Sequence, residues 1–425
     1  MNYSWYRLDN SAIVYQMVLT PETQSIFRMG VKLTSPINKE ILLEAVKTAL
    51  VRFPFFKTEL KRGFFRPYLD ENPLPPVVNE DNGLVLNIFN FAKNNHYLFR
   101  TSYYGNRFFI DFFHGLCDGT GAMEFFKSVL YYYCEKIGNP ISDKNIRTLN
   151  SSPSKEEFED SFDKYYKKVN VMRGTKSMAG GTAYKIRGKQ FRNFGFGFIQ
   201  ATVDTDSLLN LARKHNCSIT VYLAALILLA IAKTNVRAPQ KHNMVAFIPI
   251  NLRKRFPSDT LGNFTVFAKC IIPKDTEYTL ENLIEVLKQR MSEQLDEREM
   301  QLKLSFSSLM AKLLPLKIMP LFFKSVVSRM GRRLTPGTKQ TFILSNLGKL
   351  DIDQSENIDH FWFNLNCSKK TPNNIGIVSY KDKTVISFTR KIISTEIERE
   401  VLSTLASELG NVDVISNLRE QNHAL

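Results

Sequence analysis

A histidine, an aspartate and two glycines stand close together in one short run of the chain, His-Gly-Leu-Cys-Asp-Gly, from His114 to Gly119. A neutral imidazole accepts a proton near neutral pH, which makes histidine a common general base. One reaction that needs such a base is the attack of an alcohol or amine on a thioester, because the nucleophile must lose a proton as it attacks. His114 is therefore a candidate base for acyl transfer.

Asp118, four residues after His114, allows two roles. Its carboxylate can hold the imidazole in one tautomer, or it can hold the loop that carries the histidine. It stands at the predicted start of a helix, where a negative charge is favourable, and Gly119 and Gly121 permit a tight turn. The alternative is an ordinary aspartate cap after a half-buried histidine. With six histidines in the chain, chance alone gives Asp at +4 and Gly at +5 in about one or two per cent of such sequences.

The elements around this run are a strand before it and a helix after it. Residues 107–113 and 97–102 alternate as an antiparallel hairpin, and residues 121–135 have helical spacing. Rigid neighbours of this kind hold a short functional loop in place. Cys117 is expected to be a small buried side chain. No third ligand is spaced for a metal, so no metal site is predicted.

The second half has a similar plan of helices and mostly antiparallel strands. Helices are predicted at 206–215, 221–233, 279–302, 305–330 and 394–409, and strands at 196–203, 245–250, 264–272, 340–345, 361–366, 375–380 and 384–390. A polar stretch separates the halves. A chain of 425 residues exceeds one ordinary core. We therefore expect an α/β (α+β) protein with a first domain at 1–165, a linker at 166–195 and a second domain at 196–425.

The net charge restricts the classes of binding partner, and the cysteine content indicates the compartment. The net charge is +16, but the basic residues are scattered and form no stripe for nucleic acid. The charge fits a phosphorylated thioester carrier such as coenzyme A, or an acidic carrier protein. Five widely spaced cysteines predict a reducing compartment, and no signal peptide is visible. We expect a cytoplasmic monomer.

Two apolar segments bear on membranes. The run Val221–Ala232 is shorter than the ~18 residues of a spanning helix and predicts a buried helix. The apolar and basic stretch Leu313–Arg333 is either a core helix broken by prolines or a helix lying on a membrane surface.

The motif resembles a known signature. His114 to Gly119, after the apolar strand 108–113, is similar to the His-x-x-x-Asp-Gly signature of the chloramphenicol acetyltransferase-like acyltransferase superfamily. Further segments resemble its alcohol acetyltransferase branch. These are Arg-Phe-Pro-Phe-Phe at 52–56, Ala-Tyr-Lys-Ile-Arg-Gly at 183–188, Pro-Ile-Asn-Leu-Arg at 249–253 with Gly-Asn-Phe at 262–264, and Leu-Ser-Asn-Leu-Gly at 344–348. The likeness therefore extends over most of the chain.

The resemblance implies a pseudo-dimer of two similar domains with a tunnel between them and His114 at its midpoint. An acyl-CoA, such as acetyl-CoA, is the implied co-substrate, with no permanently bound cofactor and no acyl-enzyme. The motif aspartate usually pairs with an arginine in such proteins, and Arg253 is the candidate. Ser345 and Asn346 are candidates to line the tunnel and hold the thioester or the oxyanion, and Asn263 is a further one. The alternative for Ser345 and Asn346 is a strand-end turn that needs small polar residues.

Departures from the resemblance leave alternatives open. The Asp-Phe-Gly-Trp-Gly segment of plant-type transferases is absent, and Phe113 stands where condensation domains have a first histidine. A carrier-protein-dependent acyltransferase or stand-alone condensation-like enzyme of lipid or peptide biosynthesis is one alternative. A non-catalytic binding protein with the same fold is another.

Overall fold

The computed structural model describes residues 5–17, 25–83, 86, 89–170, 172, 182–191, 195–235, 238–312, 320–323, 339–353 and 356–417. Its strands are β1 Trp5–Arg7, β2 Ile26–Leu33, β3 Thr58–Arg62, β4 Pro67–Glu71, β5 Val78–Glu80, β6 Phe99–Tyr104, β7 Arg107–Phe113, β8 Gly197–Asp204, β9 Met244–Asn251, β10 Thr265–Ile272, β11 Phe342–Leu350, β12 Ile358–Leu365, β13 Asn373–Tyr380, β14 Lys383–Arg390 and β15 Asp413–Ser416. Its helices are α1 Asn10–Met17, α2 Lys39–Arg52, α3 Gly119–Lys136, α4 Ser161–Lys164, α5 Thr205–Lys214, α6 Ile219–Thr234, α7 Ala238–Lys241, α8 Leu280–Leu295, α9 Glu297–Lys312 and α10 Glu396–Leu409.

The sheet that carries the motif loop has five strands in the order β12-β2-β7-β6-β5. β7 pairs antiparallel with both β2 and β6. Phe108, Ile110 and Phe112 belong to one apolar core with α2 and α3. Because side chains alternate along a strand, Phe109 and Asp111 face the opposite side. The hairpin of β6 and β7 packs on α2 and α3, and this packing holds the end of β7 in place.

The second sheet has seven strands in the order β10-β9-β11-β13-β14-β8-β15. The apolar helix α6 packs against this sheet and against α8 and α10, and all of them share one core. Ser218 begins α6, since its side-chain oxygen accepts from the backbone N of Val221 at 3.3 Å. A helix that is apolar on all sides is buried, as the sequence predicted for this segment.

One strand from the second half completes the first sheet. β12 pairs antiparallel with β2, and Trp362 lies opposite Gly30. A Cβ atom at Gly30 would come within 2.3 Å of the Trp362 indole, so a larger residue would displace that ring. The two halves predicted on either side of the linker therefore share one sheet.

The helices predicted at 279–302 and 305–330 have different bounds. α8 ends at Leu295 and α9 begins at Glu297. Asp296 causes the break, because its Oδ1 accepts from the backbone N of Arg298 and of Glu299 and so begins a new helix. Of the proposed membrane-surface stretch at 313–333, only residues 320–323 lie within the described residues.

Within the described chain, none of the helices taken singly has the length and apolar character needed to cross a bilayer. α5 and α6 meet that criterion only as a pair, across a bend of 76°.

Candidate active site

The imidazole of His114 lies at the carboxyl end of β7 between two aromatic rings. The backbone N of His114 donates to the carbonyl oxygen of Ser25 at 2.7 Å, just before β2. Tyr15 of α1 stacks on the imidazole with ring centroids 4.3 Å apart and 22° between the planes. Phe27 of β2 meets it edge-on, with centroids 5.1 Å apart. These contacts fix the plane of the imidazole.

Asn263, from the segment just before β10, forms a hydrogen bond with one imidazole nitrogen. Its Oδ1 lies 2.9 Å from Nδ1 of His114. An amide oxygen only accepts, so in this arrangement Nδ1 carries the proton and Nε2 keeps a lone pair. Nε2 is therefore the nitrogen that can take a proton from a substrate.

The pKa of His114 lies below its ordinary value, chiefly because burial disfavours the charged imidazolium. The hydrogen bond that Nδ1 of His114 donates to Asn263 and the charge of Asp118 act in the opposite direction without cancelling burial. His114 is thus neutral at neutral pH, which is the state a general base requires.

Asp118 is engaged by other groups than the imidazole. Its Oδ1 accepts from the backbone N of Thr120 and of Gly121, at 3.1 Å each, and so begins α3. Its Oδ2 accepts from the backbone N of Phe264 at 2.8 Å, in the second half of the chain. No hydrogen bond between Asp118 and His114 is found among the described residues. The structure thus places Asp118 as a connection between loop, helix and second half.

Arg253 extends that connection. Its Nη1 donates to Oδ2 of Asp118 at 2.8 Å, where Asp118 is buried and Arg253 is largely buried. Its Nη2 donates to the carbonyl oxygens of Thr260 and Gly262, at 2.9 and 2.8 Å. The fixed fork of a guanidinium suits such a set of acceptors. Arg253 therefore ties the turn that leads into Asn263 to the motif loop.

Close packing at the start of α3 explains the small residues there. A Cβ atom at Gly121 would lie 1.9 Å from the carbonyl oxygen of Leu261. At Gly119 it would lie 2.8 Å from Cδ2 of Leu347, the end of a flexible side chain. Both neighbours belong to the second half, so the glycines let the two halves approach at the motif.

Ser345 and Asn346 lie on β11. Among the described residues, neither forms a hydrogen bond with His114. Asn346 donates through Nδ2 to Oγ1 of Thr220, at 3.1 Å, near the start of α6, and its Oδ1 accepts from the backbone N of Gly348 at 2.8 Å. The pairing of β11 with β13 is irregular just after Asn346. The structure therefore brings Asn263 to the imidazole, while the side chain of Asn346 bonds to the start of α6.

Among the described residues, cavities open between the halves in at least two places. One of about 300 Å³ opens beside the motif loop and is lined by residues that include Gly119, Thr120, Asn251 and Leu347. Another, of about 520 Å³, lies on the face of the first sheet that carries Phe109, with Gln200, Trp362 and Asn364 in its wall.

Cys117 is fully buried inside the motif, and burial raises the pKa of its thiol well above the ordinary value. The thiolate is the reactive form of cysteine. Cys117 is therefore a packed side chain and not a nucleophile.

Three residues near His114 carry no local signal in the sequence. Asp9 and Tyr15 come from the N-terminal segment, and Phe27 is one apolar residue of a strand. Asp9 reaches Asn263, which is 254 residues away. Only the folded chain brings them together.

Residues 201–355 match the family model described as the C-terminus of phthiocerol/phthiodiolone dimycocerosyl transferase. Polyketide synthase associated protein 5 from Mycobacterium tuberculosis has a similar structure, with a TM-score of 0.63, 13% identity and coverage of 95% of this chain and 97% of its own. The trichothecene 15-O-acetyltransferase from Fusarium sporotrichioides has a TM-score of 0.60, 14% identity and coverage of 96% and 97%. The chain has the chloramphenicol acetyltransferase-like fold.

A mutant starter condensation domain of rhizomide synthetase, in complex with C8-CoA, has the same fold, with a TM-score of 0.60, 10% identity and coverage of 96% of this chain and 95% of its own. No curated protein matches the sequence. The predicted resemblance and the two-domain, pseudo-dimeric form of the chloramphenicol acetyltransferase-like fold are confirmed. At these identities the likeness concerns the fold.

Proposed function

We propose that the chain is a CoA-dependent acyltransferase that moves an acyl group, acetyl in the simplest case, from a thioester to an alcohol or amine. The observation that carries the proposal is the contact between Nδ1 of His114 and Oδ1 of Asn263 at 2.9 Å. This contact leaves Nε2 of the neutral imidazole free to accept a proton, and it joins a residue of the first half to one of the second half. The acyltransferase names of the matching family model and of one similar structure support the same reaction class.

The proposed reaction has one tetrahedral intermediate. Nε2 of His114 takes the proton of the acceptor hydroxyl or amine as that oxygen or nitrogen attacks the thioester carbon. Collapse of the intermediate breaks the carbon–sulfur bond, and the imidazolium returns its proton to the leaving thiolate. The acyl group passes directly to the acceptor, so no acyl-enzyme forms.

The supporting residues have separate proposed roles. Asp118, Gly119 and Arg253 hold the loop and the second half in register. Ser345 and Asn346 line the thioester side of a tunnel between domains 1–165 and 196–425. Hydrogen-bond donors in this tunnel hold the developing oxyanion. Oxyanion donors act best when they are fixed before the reaction begins.

A basic groove favours a phosphorylated donor. A shallow cavity of about 900 Å³ lies beside the start of α6, and its wall contains Arg213, Arg255 and Lys288 with the carboxylate of Asp296. Lys288 also pairs with Glu285 at 2.8 Å, so the two arginines carry most of the free positive charge. The first turn of a helix adds partial positive charge. Coenzyme A and a carrier-borne phosphopantetheine both present phosphates, so the groove suits either donor.

The test is a thiol-release screen of short and long acyl-CoAs against alcohols and amines. His114→Ala should lower kcat by about 10² to 10⁴. His360→Ala is the matched control, because His360 is another partly buried histidine but contacts Asp359. Wild-type turnover in purified, folded His114→Ala would refute the proposed base.

A carrier-protein donor is the second candidate, favoured by the structural likeness to a condensation domain. Turnover with an acyl-carrier protein but not with free acyl-CoA would assign it. Tight binding of acyl-CoA without any thiol release would instead indicate a binding protein with this fold.

A further inference from the structure

Asp9, just before α1, has its carboxylate buried against the second half of the chain. Its Oδ1 accepts from the backbone N of Ala12 at 2.7 Å. Its Oδ2 accepts from both the backbone N and Nδ2 of Asn263, at 2.9 and 3.0 Å. The carboxylate thus meets the same amide that faces His114.

The donors and acceptors around Asn263 permit one orientation of its amide. Nδ2 lies 3.0 Å from Oδ2 of Asp9 and 3.1 Å from the carbonyl oxygen of His114, and both of these oxygens are acceptors. A flipped amide would set Oδ1 against those two oxygens and lose both bonds. Nδ2 must therefore face them, which leaves Oδ1 for Nδ1 of His114.

We propose that Asp9 is a positioning residue that fixes the Asn263 amide and thereby the imidazole tautomer that carries a proton on Nδ1 and a lone pair on Nε2. Its effect on turnover rests on the proposed function, while its effect on the tautomer does not. Without Asp9 the amide keeps only the bond from Nδ2 to the carbonyl oxygen of His114, so a flip costs one hydrogen bond instead of two. A flipped amide would offer N–H to Nδ1 and so favour the proton on Nε2, the tautomer that cannot act as base.

The ionisation of Asp9 agrees with this role. Burial raises the pKa of Asp9 to about 6, assisted by the charge of Asp118 and opposed by hydrogen bonds from Asn263 and Ala12. At neutral pH the carboxylate is therefore ionised and only accepts hydrogen bonds.

A purely structural role must be separated from this one, because Asp9 also anchors the start of α1, which carries Tyr15. Asp160 supplies the matched control. Its Oδ2 accepts from the backbone N of Asn10 at 3.1 Å, so it anchors the same end of α1 without a described contact to Asn263. Asp160→Ala removes this anchor and leaves the hydrogen bonds between Asp9 and Asn263 in place.

The experiment records ring ¹⁵N shifts of histidine-labelled full-length protein at pH 7.5. The chain has six histidines, and His114→Ala identifies the signal. The wild type should show protonated Nδ1 and unprotonated Nε2, and Asp160→Ala should show the same. Asp9→Ala should show more of the other tautomer than the wild type and Asp160→Ala do. If a tenth of the molecules keep the competent tautomer, kcat falls about tenfold with little change in KM.

Asp9→Asn is the second variant, in case Asp9→Ala does not fold. It keeps the shape but removes the charge, and can face Asn263 with an oxygen only by turning its NH₂ group toward the N–H of Ala12. It should give an intermediate tautomer population. Wild-type tautomers in each folded Asp9 variant would overturn the inference. A tautomer that responds to Asp9 in a chain without turnover would instead support the inference and count against the proposed function.

Discussion

Tyr15 and His114 stack face to face, with ring centroids 4.3 Å apart. Tyr15 belongs to α1, so a helix from the beginning of the chain covers the imidazole at the end of β7. The ring of Tyr15 is partly buried, and desolvation with the nearby charges of Asp9 and Asp118 raises the pKa of its hydroxyl. It remains neutral and covers one face of the imidazole.

Removal of that ring should change the pH dependence of turnover. Tyr15→Ala should let water reach His114, whose pKa would rise toward its ordinary value. Because His114 must be neutral to act, the acid limb of kcat/KM should move to higher pH. Asp118, Asn263 and Asp9 are unchanged, and Tyr15→Phe keeps the stacked ring, so its limb should stay in place. The same acid limb of kcat/KM in the wild type, Tyr15→Ala and Tyr15→Phe would contradict this role of the Tyr15 ring. Tyr15→Ala should also lose about 1 kcal/mol of stability.

The buried pair of Asp118 and Arg253 should support folding more than chemistry. Asp118→Ala leaves a buried guanidinium without its carboxylate and should cost about 3–5 kcal/mol in the free energy of unfolding. The double variant with Arg253→Ala should lose less than the sum of the single losses. Denaturant titration measures these values. Additive losses, or a kcat loss in soluble Asp118→Ala as large as that of His114→Ala, would exclude the structural role.

The two glycines of α3 should differ in their tolerance of a methyl group. At Gly121 a Cβ atom would meet the backbone of Leu261, which cannot give way, so Gly121→Ala should lose about 1–3 kcal/mol or more. Gly119→Ala should lose less, since the end of the Leu347 side chain can move. Thermal melts of the two variants should rank them in that order, and the reverse order would contradict the packing.

Asp160 should make stability depend on pH. Its pKa is raised to about 7, mainly by burial and then by the charges of Asp9 and Asp163, while hydrogen bonds from Asn10 and Asp163 oppose the rise. A group with a raised pKa in the fold contributes stability that is full below its unfolded pKa and lost as pH rises through about 7. Asp160→Asn cannot titrate. Its advantage over the wild type should therefore grow from pH 5 to pH 8, by about 1 kcal/mol or more. Parallel stability curves would rule this out.

The basic groove should strengthen binding of the acyl-CoA donor and leave binding of the alcohol or amine acceptor unchanged. Arg213→Glu with Lys288→Glu should raise KM for acyl-CoA about tenfold, a loss of about 1.4 kcal/mol in binding. An N-acetylcysteamine thioester lacks the phosphates, so its KM should not change. Equal effects on both thioesters would place the phosphates elsewhere.

The local parts of the site could be predicted from the sequence. His114 and Asp118 lie within one loop, and Asp118 begins α3 as its position before a helix predicts. Asn263 appeared only as a tunnel candidate, because its contact with His114 spans 149 residues. Asp9 carried no signal, since an aspartate before a short helix is common. A strand was predicted at 361–366 and the structure has it at 358–365, but alternation does not tell which sheet a strand will join.

The place of β12 has a consequence for how the protein is made. β2 remains an open edge until residues 358–365 have been synthesised and can pair with it. An unpaired edge strand is a template for association with other chains. A ribosome-bound or truncated first half would therefore be prone to aggregation, and the slow step of folding should be the late arrival of this distant strand.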